Sequence, residues 1–170
     1  MVTQALLSNS TYNKPSCIAN LSGIVEKVNT ALEANNPETL FVTSWVGILE
    51  LSTGNISYVN AGHNPPLLAK LDGCGQPHLL DELSGPVLGL MPDIPYTRHS
   101  ALLPPGHKLL IFTDGLNEAE NQQNEFYGDD RLRESFLKAK SPEEIMADIA
   151  RFVGDAPPSN DKTYLWIERR

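Results

Sequence analysis

Two acidic points in the chain stand where a carboxylate can be held for chemistry. Asp114 follows the run Leu109-Leu110-Ile111-Phe112-Thr113 and precedes Gly115. A carboxylate at the end of a strand buried on both faces, beside a glycine that allows a tight turn, is rigid enough to hold a metal or a phosphate-reacting group. The same Asp-Gly pair also serves simply to start a turn, or to cap a helix beginning near Leu116. Asp161, with Asn160 before it, stands just ahead of another apolar run. If those two strands are neighbours, their loops meet at one edge, and the oxygens there suit a hard cation such as Mg²⁺ or Mn²⁺. His63 is the third candidate. Its Gly/Asn/Pro-rich loop either holds the side chain out for function or uses it to fix the turn against backbone. His78, His99 and His107 lie in ordinary surface contexts, and Cys17 reads as a small core residue.

The elements that must position these residues follow from periodicity and turn chemistry. Met1, Val2, Ala5 and Leu6 read as the last turns of a helix, and residues 8–15 as a loop. Leu21, Ile24, Val25, Val28 and Leu32 recur at helical spacing and form a core stripe, with Pro15 and Ser16 placed to start the helix. Residues 40–51 read as a long strand, Ser52-Thr53-Gly54-Asn55 as a hairpin turn, and 56–59 as the antiparallel return. Residues 60–66, Asn-Ala-Gly-His-Asn-Pro-Pro, are loop. A short strand spans 67–71, a turn 72–75, a Gly/Pro-rich loop 85–95, and an edge strand 96–102. Pro104, Pro105 and Gly106 then turn the chain into the central run. After a polar loop at 118–125, Asp129 or Asp130 caps a helix carrying Leu132, Phe136 and Leu137. Ser141-Pro142-Glu143-Glu144 combines a capping box with a first-turn proline for a helix that buries Ile145, Ile149, Phe152 and Val153. Residues 163–167 are the last strand. This order predicts an α+β fold of mostly antiparallel sheets covered by helices.

Length and composition bound the class. The 170 residues suffice for one domain with a real core, and 41% hydrophobic with 20% charged residues is ordinary for a globular protein. A net charge of −8 without a long basic cluster excludes nucleic acid and anionic membrane as main partners. Two cysteines, Cys17 and Cys74, make neither a metal motif nor a disulfide framework, which points to a reducing cytoplasm. No stretch has the length of a transmembrane helix. One rival is tested by position alone. Aspartate-nucleophile phosphotransferases of the haloacid dehalogenase type need an Asp two residues before Asp114, where this chain has Phe112, and no Gly-rich phosphate loop with Lys is present.

A longer set of motifs points elsewhere. Phe41-Val42-Thr43, Ser52-Thr53-Gly54 and Tyr58-Val59-Asn60-Ala61-Gly62-His63-Asn64-Pro65-Pro66 occur in that order. Pro86-Val87-Leu88-Gly89-Leu90, Leu103-Pro104-Pro105-Gly106 and Phe112-Thr113-Asp114-Gly115-Leu116-Asn117-Glu118-Ala119 come next. Phe126-Tyr127-Gly128-Asp129-Asp130-Arg131-Leu132 and Asn160-Asp161-Lys162-Thr163 close the series. Together they closely resemble the metal-dependent protein phosphatase 2C-like (PPM) family, in the bacterial branch typified by the sporulation stage II phosphatase E (SpoIIE-like).

The resemblance implies an α-β-β-α layered sandwich that hydrolyses phosphoserine or phosphothreonine in proteins. In the family, two Mn²⁺ or Mg²⁺ ions bridged by carboxylates hold and activate the attacking water, so no phosphoenzyme forms. Asp114 matches the ligand of the Thr-Asp-Gly motif, with Gly115 beside it and Asn60 and His63 in a loop near the site. The second C-terminal ligand is the first Asp of an Asp-Asp-x-Thr block, where this chain has Asn160; Asp161 is the neighbouring carboxylate. The N-terminal blocks Gly-Asp-x-x-Asp and Asp-x-x-Gly-x-Gly are absent. Residues 1–170 therefore read as the C-terminal portion of a single SpoIIE-like domain, N-terminally incomplete. Two functions are carried forward. The first is a serine/threonine phosphatase in bacterial signalling or sigma-factor regulation, acting on a phosphorylated protein such as an anti-anti-sigma-type protein. The second is a catalytically inactive binding module that kept the fold and lost the metal chemistry; a degraded domain without function is a third, bland option. A missing strand pair would leave unpaired sheet edges, which predicts self-association or marginal stability.

Overall fold

The computed structural model describes residues 4–8, 20–34, 36–157 and 160–170. The readings made for Met1, Val2, the loop at 9–15, Ser16 and Cys17 lie outside these residues. The chain divides into two compact units, Met1–Pro65 with Asp81–Leu103, and Pro66–Leu80 with Pro104–Arg170.

Among the described residues, the first unit holds a four-stranded sheet and one helix. Its strands are β1 (Gln4–Ser8), β2 (Ser44–Glu50), β3 (Asn55–Ala61) and β6 (His99–Leu102), in the order β1-β2-β3-β6. The helix is α1 (Leu21–Glu33). The hairpin between β2 and β3 forms as its residues predict: Gly54 takes φ 81°, and its amide donates to the Glu50 carbonyl at 2.7 Å. Two readings are corrected here. Ala5 and Leu6 do not end a helix; Gln4–Ser8 is a strand, paired parallel to β2 from Gln4↔Val46 to Ser8↔Glu50. A short apolar run has no diagnostic period, so the pairing available along β2 decides its state. The expected core stripe on α1 is also only partly buried. Leu21, Val25 and Asn29 form the inward row, whereas Ile24 and Val28 are each 44% exposed and Leu32 38%. Asn29 takes a core position because its amide bridges two backbone groups, accepting from Gly89 N–H at 2.8 Å and donating to the Met91 carbonyl at 2.8 Å. Leu21 and Val25 pack with Ile48, Val59, Ala61, Leu88 and Tyr96.

The second unit holds the strand order β5-β4-β7-β8, with β4 (Leu67–Lys70), β5 (His78–Leu79), β7 (His107–Phe112) and β8 (Tyr164–Arg169), all antiparallel. Two helices, α2 (Asp129–Lys138) and α3 (Pro142–Val153), belong to it. Along β7, Lys108 through Phe112 are all buried. Leu110 and Phe112 join Leu67, Leu132, Phe136, Ile145 and Ile149 in one cluster. Burying each large apolar side chain contributes about 1.5–3 kcal/mol. The exposed pair Lys138–Glu134 on α2 contributes about 0.2–1 kcal/mol at most, so the cluster seats the helices. The starts of both helices differ in detail from expectation. Gly128, not an aspartate, precedes α2, and its φ of 85° suits glycine. At α3 the Glu144 carboxylate accepts from the Lys140 amide at 2.9 Å, so the reciprocal bond of a capping box to Ser141 is not made.

Thus the predicted α+β architecture of mostly antiparallel sheets stands, with β1–β2 as the parallel exception and β5 as a strand not foreseen.

Candidate functional site

β7 and β8 are neighbours, from His107↔Arg169 to Phe112↔Tyr164. The turn after β7 and the loop before β8 therefore meet at one end of the sheet. Thr113 fastens them. Its amide donates to the Thr163 carbonyl at 2.9 Å, and its hydroxyl accepts from the Thr163 amide at 3.0 Å. The same hydroxyl lies 3.3 Å from the carbonyl oxygens of Asp161 and Thr163, either of which can take its single proton. The turn then closes on itself, with Leu116 N–H donating to the Thr113 carbonyl at 3.1 Å and Glu118 N–H to the Asp114 carbonyl at 2.7 Å. Gly115 is buried at the seam, and a Cβ there would run into the Asp161 carbonyl and crowd the Asn160 side chain. Asp114 is half-buried, while Asn160 and Asp161 are exposed.

The Asp114 turn is also braced from α2. Asn117 donates through its side-chain amide to the Asp129 carboxylate at 2.9 Å, and its backbone carbonyl accepts from Gly128 N–H at 2.7 Å. At the other end of α2, Lys108 is fully buried on β7 and donates to the carbonyls of Leu137 and Ala139, at 3.2 and 2.5 Å. Its ammonium lies 5.1 Å from the Phe136 ring centre and 5.2 Å from that of Trp166. Burial holds the Lys108 pKa below its ordinary 10.5, against the upward pull of Glu168 and Glu144. One strand thus positions the Asp114 turn at one end and ties down a helix terminus at the other.

Asn60 and His63 belong to the first unit, whereas Asp114, Gly115, Asn160 and Asp161 belong to the second. Asn60 is still on β3, opposite Trp45, so the expected loop begins later than residue 60. Its side chain clasps the turn at His63, accepting from His63 N–H at 2.8 Å and donating to the His63 carbonyl at 3.1 Å. Its backbone exchanges bonds with Ser84, whose hydroxyl accepts from Asn60 N–H at 2.7 Å and whose amide donates to the Asn60 carbonyl at 2.9 Å. His63 is 4% exposed, so the backbone clasp by Asn60 fixes the turn and the imidazole is not held out into solvent.

Sequence reasoning passed over Thr113, Asn117 and Lys108. The first two had a signal, being polar side chains flanking Asp114 in the turn; a lysine at a strand start is normally solvated, and nothing local marks Lys108 as buried.

A sequence model of the family described as Stage II sporulation protein E (SpoIIE) matches residues 1–170. The chain belongs to this family. Over 112 residues, 66% of its length, the SpoIIE-family chain is 35% identical to Protein IcfG of Synechocystis sp., and it spans 17% of that protein. Its fold is similar to the phosphatase domain of the cell fate determinant SpoIIE from Bacillus subtilis, at a TM-score of 0.59 and 18% identity, covering 95% of this chain and 74% of the other. It is likewise similar to RsbX, solved in complex with magnesium, at a TM-score of 0.61 and 22% identity, covering 96% and 76%.

The donors at the Asp114 edge test how a divalent cation would fit. The Asp114 and Asp161 carboxylates and the Asn160 amide carbonyl offer oxygen, the ligand type that Mg²⁺ and Mn²⁺ prefer. Among the described residues no three His, Cys, Asp or Glu side chains gather as a metal site. Among those residues, also, no helix is long and apolar enough to cross a membrane.

Proposed function

We propose that this chain carries the Asp114 side of the metal-binding edge of a protein phosphatase acting on phosphoserine or phosphothreonine. The observation that carries the reading is the fastening of the Asp114 turn to the 160–163 loop through Thr113, with Gly115 closed against Asp161. Membership of the SpoIIE family adds to it. In this reading Asp114 is the ligand, Asn160 contributes a neutral amide oxygen, and Asp161 supplies the second carboxylate of the edge. When bound, Mn²⁺ or Mg²⁺ supplies water activation and neutralises phosphoryl charge. The residues of this chain hold the donors. Thr113 and Gly115 fix the spacing of the two loops, and Asn117 steadies the turn from the α2 side. The substrate is a phosphorylated protein, of the anti-anti-sigma type in a bacterial signalling pathway, met in the cytoplasm. Hydrolysis of an aryl phosphate with and without Mn²⁺, compared with Asp114→Asn, tests the reading.

A second reading has its own support: a binding module without turnover. Asn160 stands where the resemblance expects a carboxylate, and the described residues offer no trio of ligating side chains. Mn²⁺-independent capture of a phosphoprotein by a chain that shows no turnover would favour it.

A further inference from the structure

We propose that Thr113 is a positioning residue whose hydroxyl sets the register between the Asp114 turn and the 160–163 loop. This rests on the reading of that edge as a cation site and names the side chain that holds its two halves together. At Phe112↔Tyr164 the regular ladder ends. The next residues in register are Thr113 and Thr163. In an antiparallel hydrogen-bonded pair each residue would give its amide to the other's carbonyl. Only half of that exchange is made by backbone, from Thr113 N–H to the Thr163 carbonyl at 2.9 Å. The Thr113 carbonyl has instead turned to accept from Leu116, closing the Asp114 turn. The Thr163 amide therefore bonds to the Thr113 hydroxyl at 3.0 Å.

The hydroxyl stands in for a carbonyl that the turn has taken. It lets β7 leave the ladder one residue earlier than β8 without stranding the Thr163 amide. Its own proton reaches the carbonyls of Asp161 or Thr163, both at 3.3 Å. Thr113 is 5% exposed, so water does not readily replace it. The Asp161 carbonyl that it holds is the one facing Gly115. One side chain thus decides where Asn160 and Asp161 sit relative to Asp114. A serine keeps the hydroxyl; a valine keeps the shape and removes the donor and acceptor.

The test is site-resolved amide exchange on the 170-residue chain for wild type, Thr113→Val and Thr113→Ser. The expected result is exchange of the Thr163 amide faster by about tenfold or more in the valine variant, restored in the serine variant. The amides of Leu109, Ile111, Leu165 and Ile167, which face each other across the ladder, should keep their protection. Unchanged exchange at Thr163 in the valine variant would overturn the proposal, and so would loss of protection along the whole of β7 and β8. Mn²⁺ titration of the same proteins by electron paramagnetic resonance separates the two readings. If wild type binds, weaker binding by the valine variant than by the serine variant supports the proposal, and equal binding contradicts it. If wild type binds no Mn²⁺, the cation-site reading fails, and the amide exchange alone decides the role of Thr113.

Discussion

Gly115 is packed so closely against the carbonyl of Asp161 that no side chain fits between them. The neighbour is backbone, which cannot swing aside as the end of a flexible side chain would. Gly115→Ala must therefore part the Asp114 turn from the 160–163 loop. The expected cost is about 1–3 kcal/mol of stability, read by urea denaturation. Any metal-dependent hydrolysis should fall by about a hundredfold through misplacement of the donors. Alanine with unchanged stability would show that the seam opens freely.

Asn60 predicts a different kind of loss. Its buried amide makes two bonds to the His63 backbone and has no room to exchange them for water. Asn60→Ala should cost about 1–3 kcal/mol in chemical denaturation, because the His63 amide loses its partner. A neutral result would mean the 60–63 turn holds without its clasp.

Most of the scaffold around these residues was legible from local rules. The Leu109–Phe112 run, the Ser52–Asn55 hairpin and the proline start of α3 each carry their own signal, in burial, turn chemistry or a fixed φ. The neighbour relation of β7 and β8 was only a condition, since sequence does not state which strands pair. Two features were misread, and the burial of Lys108 was passed over, for tertiary reasons. Gln4–Ser8 is a strand because β2 offers it a pairing edge. Ile24, Val28 and Leu32 share the helical period of the buried row but lie one row over. Lys108 is buried because carbonyls at the end of α2 and two aromatic rings receive its ammonium, none of which is near it in sequence.

Lys108 should leave a signature in alkaline stability. Its folded-state pKa lies below 10.5, so between that lower value and 10.5 the unfolded chain binds more protons than the folded one. Stability contributed by this group therefore rises with pH across that window. Lys108→Met removes the group, so wild type minus variant stability, measured by urea denaturation as pH is raised toward 10.5, should increase with pH. A flat difference would mean that Lys108 titrates alike in both states.

Tyr127 and Asp148 give the acid-side counterpart. The Tyr127 hydroxyl donates to Asp148 at 2.5 Å. Burial, then this bond, pushes the Tyr127 pKa up to about 12, while the same bond is the main cause holding Asp148 below 3.8. A depressed carboxylate contributes stability above its unfolded pKa and loses it as pH falls through the folded one. In Tyr127→Phe, the part of acid destabilisation due to Asp148 should shrink as pH falls below 3.8, read by thermal melting. An unchanged acid limb would show that Ser135 and Arg151, not Tyr127, hold Asp148 down.

The most direct measurement is hydrolysis of an aryl phosphate by this chain at saturating Mn²⁺, beside Asp114→Asn. The account predicts Mn²⁺-dependent turnover that the variant reduces by about a hundredfold or more. Turnover indifferent to the variant would contradict the role given to Asp114. No Mn²⁺-dependent turnover in the wild-type chain would contradict the phosphatase reading and leave the binding module.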